Sequence, residues 1–169
     1  MKKIGIHDVH DRLLGIAKEV TRICEQHNIP IYLAYGSMLG AIRHKGFIPW
    51  DDDMDMYIPL DYYDRCIDIL SKELRAPYRI STIRTVKGCI TGYAKAEDIM
   101  TCIDDKYVDL PLEDKLGVYI DLFPIVRCDK NNPAIKKVWR ILKAYDYIYS
   151  ESPTGEKWKH FVKKNYIFL

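Results

Sequence analysis

Asp53 and Asp55 are the residues of this chain best placed to do chemistry. They alternate with Met54 and Met56, and Tyr57 and Ile58 follow, which is the period of a strand. Residues i and i+2 of a strand leave the same face, roughly 6.5 Å apart. Both carboxylates would then share one face while the methionines enter the core. Carboxylates that close repel each other, and both stay ionised most easily beside a cation. A donor set made only of oxygens suits magnesium or manganese, which take one or two carboxylates together with substrate phosphates. A third acid, Asp121, stands alone in the apolar run Tyr119-Ile120-Asp121-Leu122-Phe123. A neighbouring strand would bring it to the pair and complete a two-metal site.

Plainer explanations exist for each feature. An Asp-x-Asp taken by itself is more often a solvated turn; the apolar flanks and the isolated third acid weigh against that here. A calcium loop starting at Asp51 fails in detail, since Met56 stands where glycine is needed and Tyr62 where a bidentate glutamate is needed. Asp51 and Asp52 are read as supporting or solvated acids rather than direct ligands. Upstream, Gly36-Ser37 follows a short apolar run and opens a helix, where exposed backbone N–H groups can hold a phosphate. Without the aspartates it would pass for an ordinary turn. Arg43 and Lys45 near the end of that helix are candidate phosphate contacts, Arg43 foremost because its fork matches phosphate oxygens. His44 is as readily a packing or surface residue. His7 and His10 have helical spacing but no third ligand, which leaves no zinc site.

The elements that must position these groups can be read along the chain. Ile6, Val9, Leu13, Ile16, Val20 and Ile23 draw one apolar stripe, so a helix is predicted there, ended by Asn28 and Pro30. Ile31 to Tyr35 is predicted as a buried strand. Ser37 is predicted to cap a short helix running to about Lys45. A strand is expected from Asp53 and a helix from Asp61, with Tyr63, Cys66, Ile67, Leu70 and Leu74 on its inner side. Short strands are expected over Tyr78 to Arg84, Cys89 to Ala96, Ile99 to Ile103 and Val118 to Phe123, the last stopped by Pro124. Asn132-Pro133 starts a helix carrying Ile135, Val138, Leu142, Tyr145 and Tyr149, and a last helix spans Glu156 to Leu169. The order predicts an α/β (α+β) sheet domain with helices attached. Residues 1–129 would be the catalytic core and 130–169 a helical extension of the same structural unit.

Composition narrows the class further. An apolar fraction of 48% with 30% charged residues belongs to a folded globular chain, not a disordered one. A net charge of only +2 implies no nucleic-acid partner. The charge is uneven, with nine Lys/Arg against three acids from Lys130 onward. The five cysteines, Cys24, Cys66, Cys89, Cys102 and Cys128, are scattered and never form C-x-x-C, which suits a reducing cytoplasm. The N-terminus lacks the apolar core of a signal peptide, and no stretch approaches the roughly 18 apolar residues of a membrane span. A cytoplasmic protein is expected.

Gly36-Ser37, then Asp53-Met54-Asp55-Met56, then an isolated Asp121 is similar to the nucleotidyltransferase superfamily signature. The longer run from Tyr35 through Gly36-Ser37 and Arg43-His44-Lys45 to Trp50-Asp51-Asp52-Asp53-Met54-Asp55-Met56 resembles the hallmark of the LicD family. The short Ile120-Asp121-Leu122-Phe123-Pro124 supports it, and the resemblance covers about residues 8 to 127. It implies a nucleotidyltransferase-like mixed sheet and transfer of a phosphorylated alcohol, often phosphocholine, from a CDP-linked donor such as CDP-choline. The acceptor would be a hydroxyl of a lipopolysaccharide, teichoic acid or capsule glycan, and CMP would leave. It also implies divalent metal at Asp53, Asp55 and Asp121. The rival expectations are a nucleotidyltransferase that moves the NMP group and a non-catalytic member that binds nucleotide or a partner. Members of the family usually run on past this length into a segment with basic and aromatic motifs. In this chain Trp158, Phe161, Val162, Phe168 and Leu169 fall near one helical face, with Lys157, Lys159, Lys163 and Lys164 around it. Such a helix suits either an anionic membrane surface or packing on the domain.

Overall fold

The computed structural model describes residues 3–89, 91–103 and 111–127, and Pro133. The chain divides into two units, Met1–Val126 and Arg127–Leu169, and the architecture below is that of the first. Apart from Pro133, the helices expected beyond Asn132 lie outside the described residues, as does the basic, aromatic face of residues 156–169.

The apolar stripe at the N-terminus forms helix α1, Ile6–Gln26. Leu13, Ile16, Val20 and Ile23 on that stripe are fully buried. Its end follows from Asn28, which takes a positive φ of 53°. That residue lets Ile29 N–H donate to Cys24 C=O at 2.8 Å and Asn28 N–H to Glu25 C=O at 3.1 Å, the paired bonds of a left-handed helix stop. Strand β1 (Tyr32–Leu33), helix α2 (Tyr35–Arg43), strand β2 (Asp55–Pro59) and helix α3 (Leu60–Glu73) follow. Strands β3 (Tyr78–Ser81), β4 (Ala94–Asp98) and β5 (Val118–Ile125) complete the unit, with a short 3-10 turn at Leu112–Asp114.

The five strands make one mixed sheet in the order β1-β2-β5-β4-β3. Only β2 and β5 run parallel; the other neighbours are antiparallel. The expected α+β class is therefore what the chain adopts. Alternation gives each strand two characters. Met56, Ile58, Ala96, Ile120 and Leu122 face α1 and α3 and form the core with the stripe of α1 and with Cys66 and Leu70 of α3. Residues on the opposite side, Asp55, Tyr57, Lys95, Tyr119, Asp121 and Phe123, are mostly charged or aromatic. Tyr63 on α3 pins the sheet beneath the site: its O–H donates to Leu122 C=O at 2.9 Å and accepts Ala94 N–H at 2.8 Å. Those two residues are registered partners on β5 and β4. Burial pushes this phenol up to about 12, so it stays a neutral donor.

Several boundaries differ from those expected. β1 keeps only Tyr32–Leu33 of the five-residue run, because it is an edge strand paired to β2 alone and Tyr35, at φ 42°, already turns into α2. The N-cap of α2 is Ala34, without a side-chain cap, and Ser37 lies inside the helix. β3 ends at Ser81, where Thr85 N–H donates to Thr82 C=O in a turn. The strand expected at Cys89 to Ala96 runs instead over Ala94–Asp98, where β5 offers partners. Ile99–Ile103 is no strand: Asp98 C=O accepts from Thr101 N–H at 3.1 Å and reverses the chain. β5 passes through Pro124 rather than stopping there. Asp121 N–H donates toward β2, so by alternation the nitrogen of Pro124 faces the β4 side, where pairing has already ended at Leu122.

Candidate active site

Asp55 and Asp121 are registered partners on the parallel pair β2 and β5. Their backbones therefore lie about 4.8 Å apart with both carboxylates on the face away from α1 and α3. Asp55 opens its strand under firm backbone control. Its N–H donates to Ser37 Oγ at 2.9 Å and its C=O accepts Ala34 N–H at 2.9 Å. Ser37 thus anchors the first strand residue to α2 instead of capping the helix.

Asp53 lies just before β2, not on it, because ladder pairing begins at Asp55. It sits in an acidic approach in which Asp51, Asp52 and Asp53 bring one carboxylate oxygen each within 4.8 Å of one another. Among the described residues this loop trio is the one set of three acids gathered that closely, and the registered pair Asp55 and Asp121 lies on the sheet, with Asp55 next to the trio in sequence and in charge. Asp55 feels both. Burial first, then the charges of Asp53, Asp121 and Asp51, raise its carboxyl to about 7, against a smaller opposing pull from Lys95. A carboxyl raised in this way binds a proton near neutral pH unless a cation takes its place. The donors are all oxygens, and their mutual repulsion is relieved by a hard divalent ion, so the residues present fit magnesium or manganese.

Lys95, on β4, is a part of the site that the sequence reading missed. It is the registered partner of Asp121, and its Nζ bonds Asp121 Oδ1. Its side chain is only 5% exposed, and the ammonium sits 3.8 Å from the Tyr119 ring centroid and 5.1 Å from that of Tyr93. The available signal was a lone lysine between Ala94 and Ala96 in a strand, the mirror of Asp121 in its own strand. Burial, and next the Asp121 charge, hold the Tyr119 and Tyr93 phenols well above their usual value. An aromatic wall continues beside the acids: Phe123 lies 4.3 Å from Tyr93 and 5.4 Å from Tyr35, and Tyr35 lies 5.0 Å from Tyr57.

The remaining candidates divide by position. Gly36 is in the first turn of α2, and a Cβ there would come within 2.8 Å of Asp51 Oδ2. An acid thus already lies at the positive end of this helix, where the sequence reading expected a phosphate. Arg43 and Lys45 stand at the other end of α2, about 12 Å along its axis. Both are exposed, and Arg43 Nε donates to His44 Nδ1 at 3.3 Å. The fold groups Gly36, Ser37 and the acids, but does not bring the backbone of Arg43 or Lys45 to them. His10, set aside as a ligand, steadies the acidic loop instead. It is buried, its Nε2 lies 2.6 Å from Asp51 C=O, and its ring stacks on Phe47 at 4.2 Å.

A mixed sheet that presents paired acids beside a glycine-serine helix start defines a nucleotidyltransferase-type domain. Residues 28–155 match the family model described as LicD/FKTN/FKRP, nucleotidyltransferase domain, and the chain belongs to the LicD family. It is similar to the lipopolysaccharide cholinephosphotransferase LicD of Haemophilus influenzae, 39% identical over 62% of this chain and 40% of that protein. It is also similar to human ribitol 5-phosphate transferase FKRP, 37% identical over 34% of this chain and 12% of that protein. A Rickettsia prowazekii protein, RP689, is 31% identical over 46% of this chain and 29% of its own length. The matches thus cover less than half of the length of each of these relatives. Among the described residues, no helix is long and apolar enough to cross a membrane.

Proposed function

We propose that this protein is a metal-dependent transferase that moves a phosphorylated alcohol, phosphocholine first, from a CDP-linked donor to a hydroxyl of a cell-surface glycan. The observation that carries the reading is Asp55: registered against Asp121, flanked by Asp51 and Asp53, and raised to about 7. The names of two relatives support it, since one is a cholinephosphotransferase and the other a ribitol 5-phosphate transferase. Choline stands first because that match covers the larger share of this chain.

In the proposed reaction the acceptor oxygen forms a new P–O bond to the phosphorus bearing the alcohol. The P–O bond to CMP breaks, CMP leaves with the electron pair, and the acceptor loses its hydroxyl proton. Such a step needs alignment and charge neutralisation more than covalent help. Magnesium or manganese held by Asp53 and Asp55, with Asp121 beside them, would neutralise charge developing on the diphosphate. Asp55 can hold an ion only when deprotonated. Ser37 and Ala34 fix its backbone for that role. Arg43 and Lys45, exposed at the far end of α2, would reach a donor phosphate only through their long side chains. A nucleotide-linked donor makes the cytoplasm the expected compartment.

Incubation with CDP-choline, CDP-ribitol or CDP-glycerol, a glycan acceptor and added magnesium or manganese tests the reading. CMP release with phosphocholine on the acceptor, abolished by chelation, is the expected outcome. A CMP-linked acceptor with free phosphocholine would instead assign NMP transfer. Nucleotide binding without either product would mark a binding member.

A further inference from the structure

Lys95 sets a buried ammonium against one acid of the site, Asp121, and has no part in the proposed reaction. Its side chain is 5% exposed, on a strand whose five residues are all buried. Three neighbours define its place. Asp121 receives Nζ on Oδ1, and the rings of Tyr119 and Tyr93 stand at 3.8 Å and 5.1 Å from Nζ. An ammonium placed this way is held by an ion pair on one side and by ring faces on another. It is not a surface lysine that happens to reach an acid. Two residues along the same face of β4, buried Glu97 pairs with the half-exposed Arg79 of β3. Glu97 there also takes Gly117 N–H at 2.5 Å, so that pair closes on backbone and serves the fold. Lys95 differs because its partner is one of the acids of the site.

We propose that Lys95 is a positioning residue that fixes the Asp121 carboxylate through Oδ1 and sets the charge of the acidic face to suit one divalent cation beside Asp55. This rests on the metal-dependent reading above. Two consequences follow from charge alone. Removing Asp121 leaves a buried ammonium facing the cation position, which repels the ion; removing both partners restores the balance. Asp121→Asn should therefore weaken cation binding by more than the loss of one donor, and Lys95→Met added to it should recover part of that loss.

The test is manganese binding to the chain without donor, followed by electron paramagnetic resonance of free ion, for wild type, Lys95→Met, Asp121→Asn and the double variant. Melting in chelator is recorded in parallel. A purely structural ion pair would couple the two substitutions in melting temperature but leave manganese affinity of the double variant no better than that of Asp121→Asn. The proposal expects the double variant to bind manganese about tenfold tighter than Asp121→Asn, and Lys95→Arg to bind within a few-fold of wild type. Absence of any such recovery, with all four chains folded, overturns the role of Lys95 alone. If Lys95→Met or Asp121→Asn does not fold, Lys95→Arg and Lys95→Gln are compared: equal manganese affinities overturn the role, and a difference of several-fold supports it. A wild-type chain that binds no manganese even with CDP-choline present overturns the metal-dependent reading, and this inference with it.

Discussion

Ser37 Oγ accepts the backbone N–H of Asp55 at 2.9 Å, a contact between residues 18 apart that joins the inside of α2 to the first residue of β2. The bond is partly buried, so deleting the acceptor leaves a donor that water satisfies poorly. Ser37→Ala is expected to lower stability by about 1–2 kcal/mol in denaturant unfolding, and to lower turnover more than donor affinity because Asp55 loses its anchor. Ser37→Thr, which keeps the oxygen, should recover most of both. Equal stability of Ser37→Ala and wild type would show that the contact carries no weight.

Asp55 sets a pH dependence whose sign is fixed. Its folded value, about 7, lies above the ordinary carboxylate value, so the folded chain holds a proton that the unfolded chain has released. In the metal-free protein this penalty is absent below about pH 4, where both states are protonated. It grows as pH rises and is complete above about pH 7. The metal-free protein should therefore melt higher at pH 5 than at pH 8, and Asp55→Asn should flatten that slope, with at most about 4 kcal/mol at stake. Magnesium should raise the melting temperature more at pH 8 than at pH 5, since the ion competes with the proton. A wild-type slope unchanged in Asp55→Asn would assign the effect elsewhere.

Asp53→Asn and Asp55→Asn are each expected to abolish turnover while leaving circular dichroism unchanged. Near-normal activity of either with magnesium would remove that residue from the site.

Arg43 is exposed and, among the described residues, its side chain bonds locally to His44. Arg43→Ala should shift stability by less than about 0.5 kcal/mol and raise KM for the donor with little change in kcat, as loss of a ground-state phosphate contact does. Unchanged donor affinity would leave Arg43 a surface residue.

Glycine substitutions separate site from scaffold. A Cβ on Gly117 would stand 2.0 Å from Asp98 C=O, and one on Gly36 only 2.8 Å from the end of the Asp51 side chain. Gly117→Ala must move backbone in the turn that ends β4 and should cost about 2 kcal/mol or more. Gly36→Ala can be relieved by swinging one carboxylate, so it should fold, with activity as the more affected quantity. Thermal melts and turnover on the two variants decide the order.

Much of this protein is written locally. The stripe of α1 needs only the helical period, and its end at Asn28 only that residue's tolerance of positive φ. Asp55 and Asp121 stand out in sequence because a charge inside an apolar strand demands a partner, and that demand is legible without coordinates. What faces what is not. Register between β2 and β5 is a long-range pairing, and it alone placed Asp121 opposite Asp55 and left Asp53 in the loop with Asp51 and Asp52. The same pairing decided that β5 could run through Pro124, because the neighbour on that side had ended. Ser37 looked like a helix cap from its local context, yet a strand arriving from 18 residues away took its oxygen. Lys95 looked like an ordinary lysine until β4 was laid beside β5, for a charge reveals its role only through the charge it meets. Local propensities acted over a few residues, whereas the site's electrostatics were set by which strands became neighbours.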